Sequence, residues 1–195
     1  GTDAAACTNG RRRFVQLAAL GAGASLLALA GLPGMARAAS KTEALLLSCM
    51  DFRLMDEVER YMTGRGLRNN YDHIVLAGAS LGAITDKFPA WNQTFWEHLD
   101  VAIKLHHINR VIVMDHRDCG AYKVILGPEH AKDPKTERET HLKQLKTLEA
   151  KIGEKHPQLK VEMLLMALNG KAEVLGDKVD APVVKAPGGT VGKQD

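Results

Sequence analysis

Short apolar runs alternate along this chain with longer stretches whose apolar residues recur every three or four positions. Runs of the first kind predict strands and stretches of the second predict helices. The run 44–48 predicts a first strand. Residues 54–62 predict a helix with Val58, Tyr61 and Met62 inward, stopped by Gly64 and Gly66. A second strand is expected over 73–77, ending in Gly78, then a loop through Pro89. Residues 92–107 predict a helix carrying Phe95, Leu99, Ala102, Ile103 and His106 on one face. A third strand spans 110–115. A short helix follows from Gly120 to the Gly127-Pro128 stop. Residues 137–152 predict a helix with a Leu142, Leu145, Leu148 and Ile152 stripe. The fourth strand is expected over 159–168, closed by Asn169-Gly170. From about 171 the chain is rich in Gly, Pro, Val and Lys, and no element is assigned there. Alternating strands and helices predict an α/β domain with a parallel sheet flanked by helices. Right-handed crossovers favour the strand order 2-1-3-4. In that order strands one and three are neighbours, and the chain reverses between them, opening a crevice at their carboxyl ends.

The charge balance sharpens this picture. The 195 residues carry 26 basic and 23 acidic side chains, a net +3. Residues 1–40 hold Arg11, Arg12, Arg13 and Arg37 against Asp3, so 22 of each sign remain beyond them. A neutral body gives nucleic-acid binding no electrostatic support. The leader itself is ordered as basic start, Ala/Gly-rich apolar stretch and Ala36-Arg37-Ala38. It resembles a twin-arginine export signal over 1–38, cut before Ala39. The expected domain is then 39–195, periplasmic and without stable membrane insertion. An uncleaved leader would anchor it instead, since 14–32 is about long enough to span. Cys7 lies in the leader, which leaves Cys49 and Cys119 in the body.

Both cysteines fall where strands end. Cys49-Met50-Asp51-Phe52-Arg53 follows the first strand and His116-Arg117-Asp118-Cys119-Gly120 follows the third. Strand order therefore brings both groups to the same crevice. Cys49, His116 and Cys119 would supply two thiolates and an imidazole to one ion with a fourth position free, the donor set of a catalytic zinc. Asp51 can hydrogen-bond a water on the metal or bind the metal itself. Arg53 can hold that carboxylate away as a bidentate partner. Two thiolates neutralise Zn²⁺, so its water would be less acidified than with three histidines, and activity should rise toward alkaline pH. An alternative is open: in an oxidising compartment Cys49 and Cys119 could form one disulfide.

Cys49-x-Asp51-x-Arg53 and His116-x-x-Cys119-Gly120 resemble the zinc-site motifs of the β-class carbonic anhydrases, over most of 41–170 in order and spacing. The resemblance implies an α/β fold, a homodimer or dimer-based oligomer, and zinc held by Cys49, His116 and Cys119. It implies reversible hydration of CO₂ to bicarbonate by zinc-bound hydroxide, with Asp51 and Arg53 as a dyad beside the metal. The chain departs from that pattern at three places. Phe52 stands where the family has Ser, Asp115 precedes the metal histidine where it has Gly, and Leu76-Ala77-Gly78-Ala79 replaces Arg-Asn-Ala-Gly. Phe52 and the missing Arg-Asn keep a zinc hydrolase of carbonyl sulfide or carbon disulfide as an alternative. A non-catalytic periplasmic metal-binding or redox protein on the same fold is another.

Other tempting groups have plain explanations. Glu137 and His141 share a helix face at i,i+4 and predict a local pair. His73, His98, His106, His107, His130 and His156 are expected to be structural or solvated. Tyr122 and Lys123 follow the metal motif and are accounted for by packing and solvation. Trp91, Phe95 and Trp96 are expected in the core or at a dimer interface. The stretch 78–82 has glycines but no P-loop lysine, which argues against nucleotide binding.

Overall fold

The chain divides into two units, 1–38 and 39–195. The computed structural model describes residues 42–176, all within the second. The expected export signal and the last part of the expected tail lie outside the described residues.

The described elements are β1 (Ala44–Ser48), a 3₁₀ turn (Phe52–Leu54), α1 (Met55–Gly64), β2 (Tyr71–Val75), α2 (Pro89–His106) and β3 (Arg110–His116). They continue with α3 (Gly120–Leu126), a second 3₁₀ turn (Pro128–Ala131), α4 (Pro134–Lys155), β4 (Lys160–Met166) and β5 (Ala172–Val174). The sheet order is β2-β1-β3-β4-β5. The first four strands are parallel, in the expected order. The sheet as a whole is mixed, because β5 returns antiparallel to β4 and pairs Leu164, Leu165 and Met166 with Val174, Glu173 and Ala172.

β1 and the middles of β3 and β4 are apolar on successive residues because both faces of the sheet are covered there. Side chains alternate between the faces. Leu45, Leu47, Val111, Val113, Met163 and Leu165 join one core with Phe95 and Leu99 of α2, Tyr122 of α3, and Leu145, Leu148 and Ile152 of α4. Ala44, Leu46, Ile112, Met114, Leu164 and Met166 join the other with Val58 and Met62 of α1. At the strand starts Glu162 receives Arg65 and Arg110, and Arg110 also meets Glu43, so the charges buried there are paired.

Several boundaries differ from the pattern reading. The second strand begins at Tyr71 and ends at Val75, two residues earlier than expected, because Tyr71 and Asp72 pair with Ala44 and Leu45. Leu76 leaves the sheet after a last bond from its N–H to Ser48 O. Helices α2 and α4 begin three residues earlier than expected, each with proline in its first turn, where the missing N–H has no intrahelical partner to lose. Strand β4 stops at Met166, and a turn closed by Ala167 N to Lys171 O leads into β5.

Candidate metal centre

β1 and β3 are hydrogen-bonded neighbours, with Ser48 opposite Met114. Cys49 therefore leaves the sheet beside His116, the last residue of β3. Cys119 occupies the N-cap position of α3, with no capping bond from its side chain. The ligand-type atoms of Cys49, His116 and Cys119 all lie within 4.8 Å of one another, and all three residues are buried. The two sulfurs are 3.9 Å apart. Two thiolates at tetrahedral positions on one zinc, each about 2.3 Å from it, span about 3.8 Å. A disulfide spans about 2.05 Å, and both cysteines are free.

The imidazole is oriented for a metal as well. His116 Nδ1 donates to Arg117 O at 2.8 Å, with the tautomer set by that partner. Nε2 is buried and has no hydrogen-bond partner among the described residues. One nitrogen held by a carbonyl and the other left open is the usual state of a ligating histidine. The donor set and its spacing thus fit a zinc ion with a free coordination position.

The sulfurs are not equivalent. The Cys119 thiol, as hydrogen-bond donor, lowers Cys49 against the opposing effect of burial, with help from His116 and the Gly78 N–H. Cys119 is raised in turn, by Cys49 first and then by burial. The Gly78 N–H lies 3.3 Å from Cys49 Sγ. Gly78 has φ +78°, and a Cβ there would come within 3.2 Å of Ala121 Cβ. Only glycine brings that donor so close without strain.

Asp51 and Arg53 stand beside the cluster. Asp51 accepts from Arg53 N, Nε and Nη2 at 3.0, 2.9 and 2.8 Å. Its Oδ2 is 3.8 Å from His116 Nε2. The Arg53 guanidinium holds the Asp51 carboxyl down to about 2. Arg53 also donates to Asp118, through Nη1 to Oδ2 at 2.9 Å and Nη2 to the carbonyl at 3.1 Å. Asp118 takes Lys123 Nζ at 2.5 Å as well, and Lys123 first and Arg53 second hold its carboxyl low.

A cavity of about 480 Å³ reaches the cluster at Cys49. Met50, Phe52, Phe88, Trp91, Val124 and Ile125 are among its walls, and Asp51 supplies a carboxylate. Phe88 and Trp91 stack at 4.1 Å. Phe52 is 87% exposed and Val124 70% exposed.

The expected residues converge, and the geometry adds others. Glu137 and His141 do not pair with each other. Glu137 accepts from Arg117 Nη1 at 3.0 Å and Asp118 N at 2.6 Å, so α4 clamps the metal-motif loop. His141 turns instead to Asp115. His73 meets Ser48, His106 meets Asp72 and His156 meets Asp100, contacts that tie elements together. Gly78, Ser80 and Asp118 were missed as site residues. The acid between His116 and Cys119 was the one signal that could have marked Asp118.

The fold and site define an α/β protein with a Cys-His-Cys centre able to hold a metal. The chain belongs to the family described as "Putative carbonic anhydrase", whose model matches residues 39–176. An uncharacterized protein of Rickettsia conorii is 40% identical over 134 residues, covering 69% of this chain and 72% of its own. Another, from Rickettsia bellii, is 37% identical over 139 residues, covering 71% and 85%. Among solved structures, the wild-type β-carbonic anhydrase CafD of Aspergillus fumigatus matches with TM-score 0.48 and 14% identity, covering 69% of this chain and 89% of its own. A tetrameric β-carbonic anhydrase from Sordaria macrospora matches with TM-score 0.47 and 13% identity, covering 88% and 95%.

Proposed function

We propose that this protein is a zinc-dependent carbonic anhydrase, hydrating CO₂ reversibly to bicarbonate and a proton. The observation that carries the reading is the meeting of Cys49, His116 and Cys119 at one buried point, with His116 Nε2 left unpartnered. Membership of the family supports it. Zinc held by these three residues would supply Lewis acidity and a water nucleophile whose formation is favoured toward alkaline pH.

The chain's own groups do the rest. Asp51 stays ionised and accepts a hydrogen bond from the reacting water, which orients it. Arg53 fixes that carboxylate with three bonds and keeps it off the metal. The Gly78 N–H offsets charge on Cys49. The apolar wall of Phe88, Trp91, Val124 and Ile125 receives an uncharged linear molecule and sheds bulk water. The apolar lining that includes exposed Phe52 also supports a second reading. In it carbonyl sulfide or carbon disulfide is the substrate of the same centre.

The reading includes export by the twin-arginine leader to the periplasm, and a homodimer that covers exposed Phe52 and Val124. Purified protein is tested by elemental analysis and by rapid hydration assays with CO₂ beside hydrolysis assays with the two sulfur compounds. One zinc per chain, with CO₂ hydration lost on chelation and restored by zinc, is the expected result. Zinc with turnover of the sulfur compounds alone selects the second reading. A chain that takes up no metal and shows no rate overturns both.

A further inference from the structure

Asp115 is a buried carboxylate for which the reading above has no use. It immediately precedes His116 in β3, and four donors converge on it. Ser80 N reaches Oδ1 at 3.0 Å. Ser80 Oγ, Tyr122 OH and His141 Nδ1 reach Oδ2 at 2.7, 2.6 and 2.9 Å. Ser80, Tyr122 and His141 are themselves buried. Each of these donors finds a carboxylate oxygen as its acceptor. Desolvating it is offset only because every oxygen is met.

The donors come from the segments that build the metal centre. Ser80 lies two residues beyond Gly78, whose N–H bonds Cys49 Sγ. Tyr122 lies three residues beyond Cys119, on the first turn of α3, so fixing its hydroxyl fixes the rotation of that turn. His141 lies one turn beyond Glu137, which holds the Arg117-Asp118 backbone. Asp115 and His116 are consecutive in a strand and point to opposite faces, so anchoring one sets the other.

We propose that Asp115 is the positioning residue of the metal centre. Its carboxylate registers β3 and α3, which bear His116 and Cys119, against the loop whose Gly78 N–H bonds Cys49, and so sets the affinity and shape of the site. The inference rests on the zinc reading above, and the wild-type arm of its test checks that reading separately.

The test uses Asp115→Asn, Tyr122→Phe and Ser80→Ala, with Ile152→Ala as a comparison. Ile152 is buried in the same core, eleven residues and about 16 Å further along α4. Zinc affinity is measured by chelator competition, the cobalt(II) spectrum of the substituted protein reports ligand geometry, and melting of the zinc-free chain reports stability. Asp115→Asn should bind zinc about 10- to 100-fold more weakly with an altered cobalt spectrum. Tyr122→Phe and Ser80→Ala should show smaller changes of the same kind. Ile152→Ala should melt earlier yet bind zinc as wild type does. Wild-type affinity and spectrum in Asp115→Asn would overturn the proposal, as would affinity losses that follow melting temperature in all four variants. If Asp115→Asn does not fold, unchanged affinity in both Tyr122→Phe and Ser80→Ala overturns it. A wild-type chain that binds no zinc defeats the metal reading itself.

Discussion

Arg53 faces two carboxylates at once. Asp51 takes three of its bonds and Asp118 two more, one through the backbone carbonyl. Asp118 can do so because its backbone sits at φ +55°, a conformation aspartate tolerates better than most residues. The guanidinium is thus braced between Asp51 and the metal-motif loop, and Asp51 Oδ2 stands 3.8 Å from His116 Nε2. Arg53→Ala should keep its zinc, measured by elemental analysis, and lose about 10²-fold or more in CO₂ hydration rate. Cys49→Ala and His116→Ala should lose metal and rate together. The C-x-D-x-R half of this arrangement was legible because its members are close in the chain. The Asp118 contact was not, since it joins segments 65 residues apart through common residue types.

At the next scale, α4 shows how an element is started by one side chain. Asp133 accepts from Lys135 N, Thr136 N and Thr136 Oγ1, and Pro134 occupies the first helical position. The Thr136 hydroxyl first, then the backbone N–H groups, hold the Asp133 carboxyl below its ordinary value. A carboxyl so depressed stabilises the fold fully above its unfolded value of about 3.9. That contribution is lost as pH falls through the lower, folded value. Asp133→Ala should therefore lower the melting temperature at neutral pH, and the gap to wild type should narrow in acid. Melting curves from about pH 2 to about pH 7 check this.

The same helix marks where reading the pattern stopped short. Its apolar stripe was plain, but that stripe begins after the Asp133-Pro134 start, whose Pro134 lies three residues before the expected 137. β1 was legible to the residue because Leu45, Leu46 and Leu47 are apolar on both faces. β5 was not, because three residues carry no period and its pairing is decided by β4.

At the scale of all the described residues, the sheet holds two cores apart and presents the candidate metal centre at its carboxyl edge. Phe95 is fully buried in the larger core. Phe95→Ala should destabilise the fold by about 3–5 kcal/mol, read from urea unfolding. Rate per zinc-loaded chain should change little by comparison, because Phe95 is not among the walls of the site.

β5 has a consequence at this scale. It lies along Leu164, Leu165 and Met166, the most apolar stretch of the outermost parallel strand. Without it, that stretch would offer open amide and carbonyl groups on a sticky ribbon. Deleting residues 172–174 should give a protein that scatters light on standing, with fibril-type dye binding as the readout. A solution that stays clear would mean that this short hairpin does not guard the chain against its own copies.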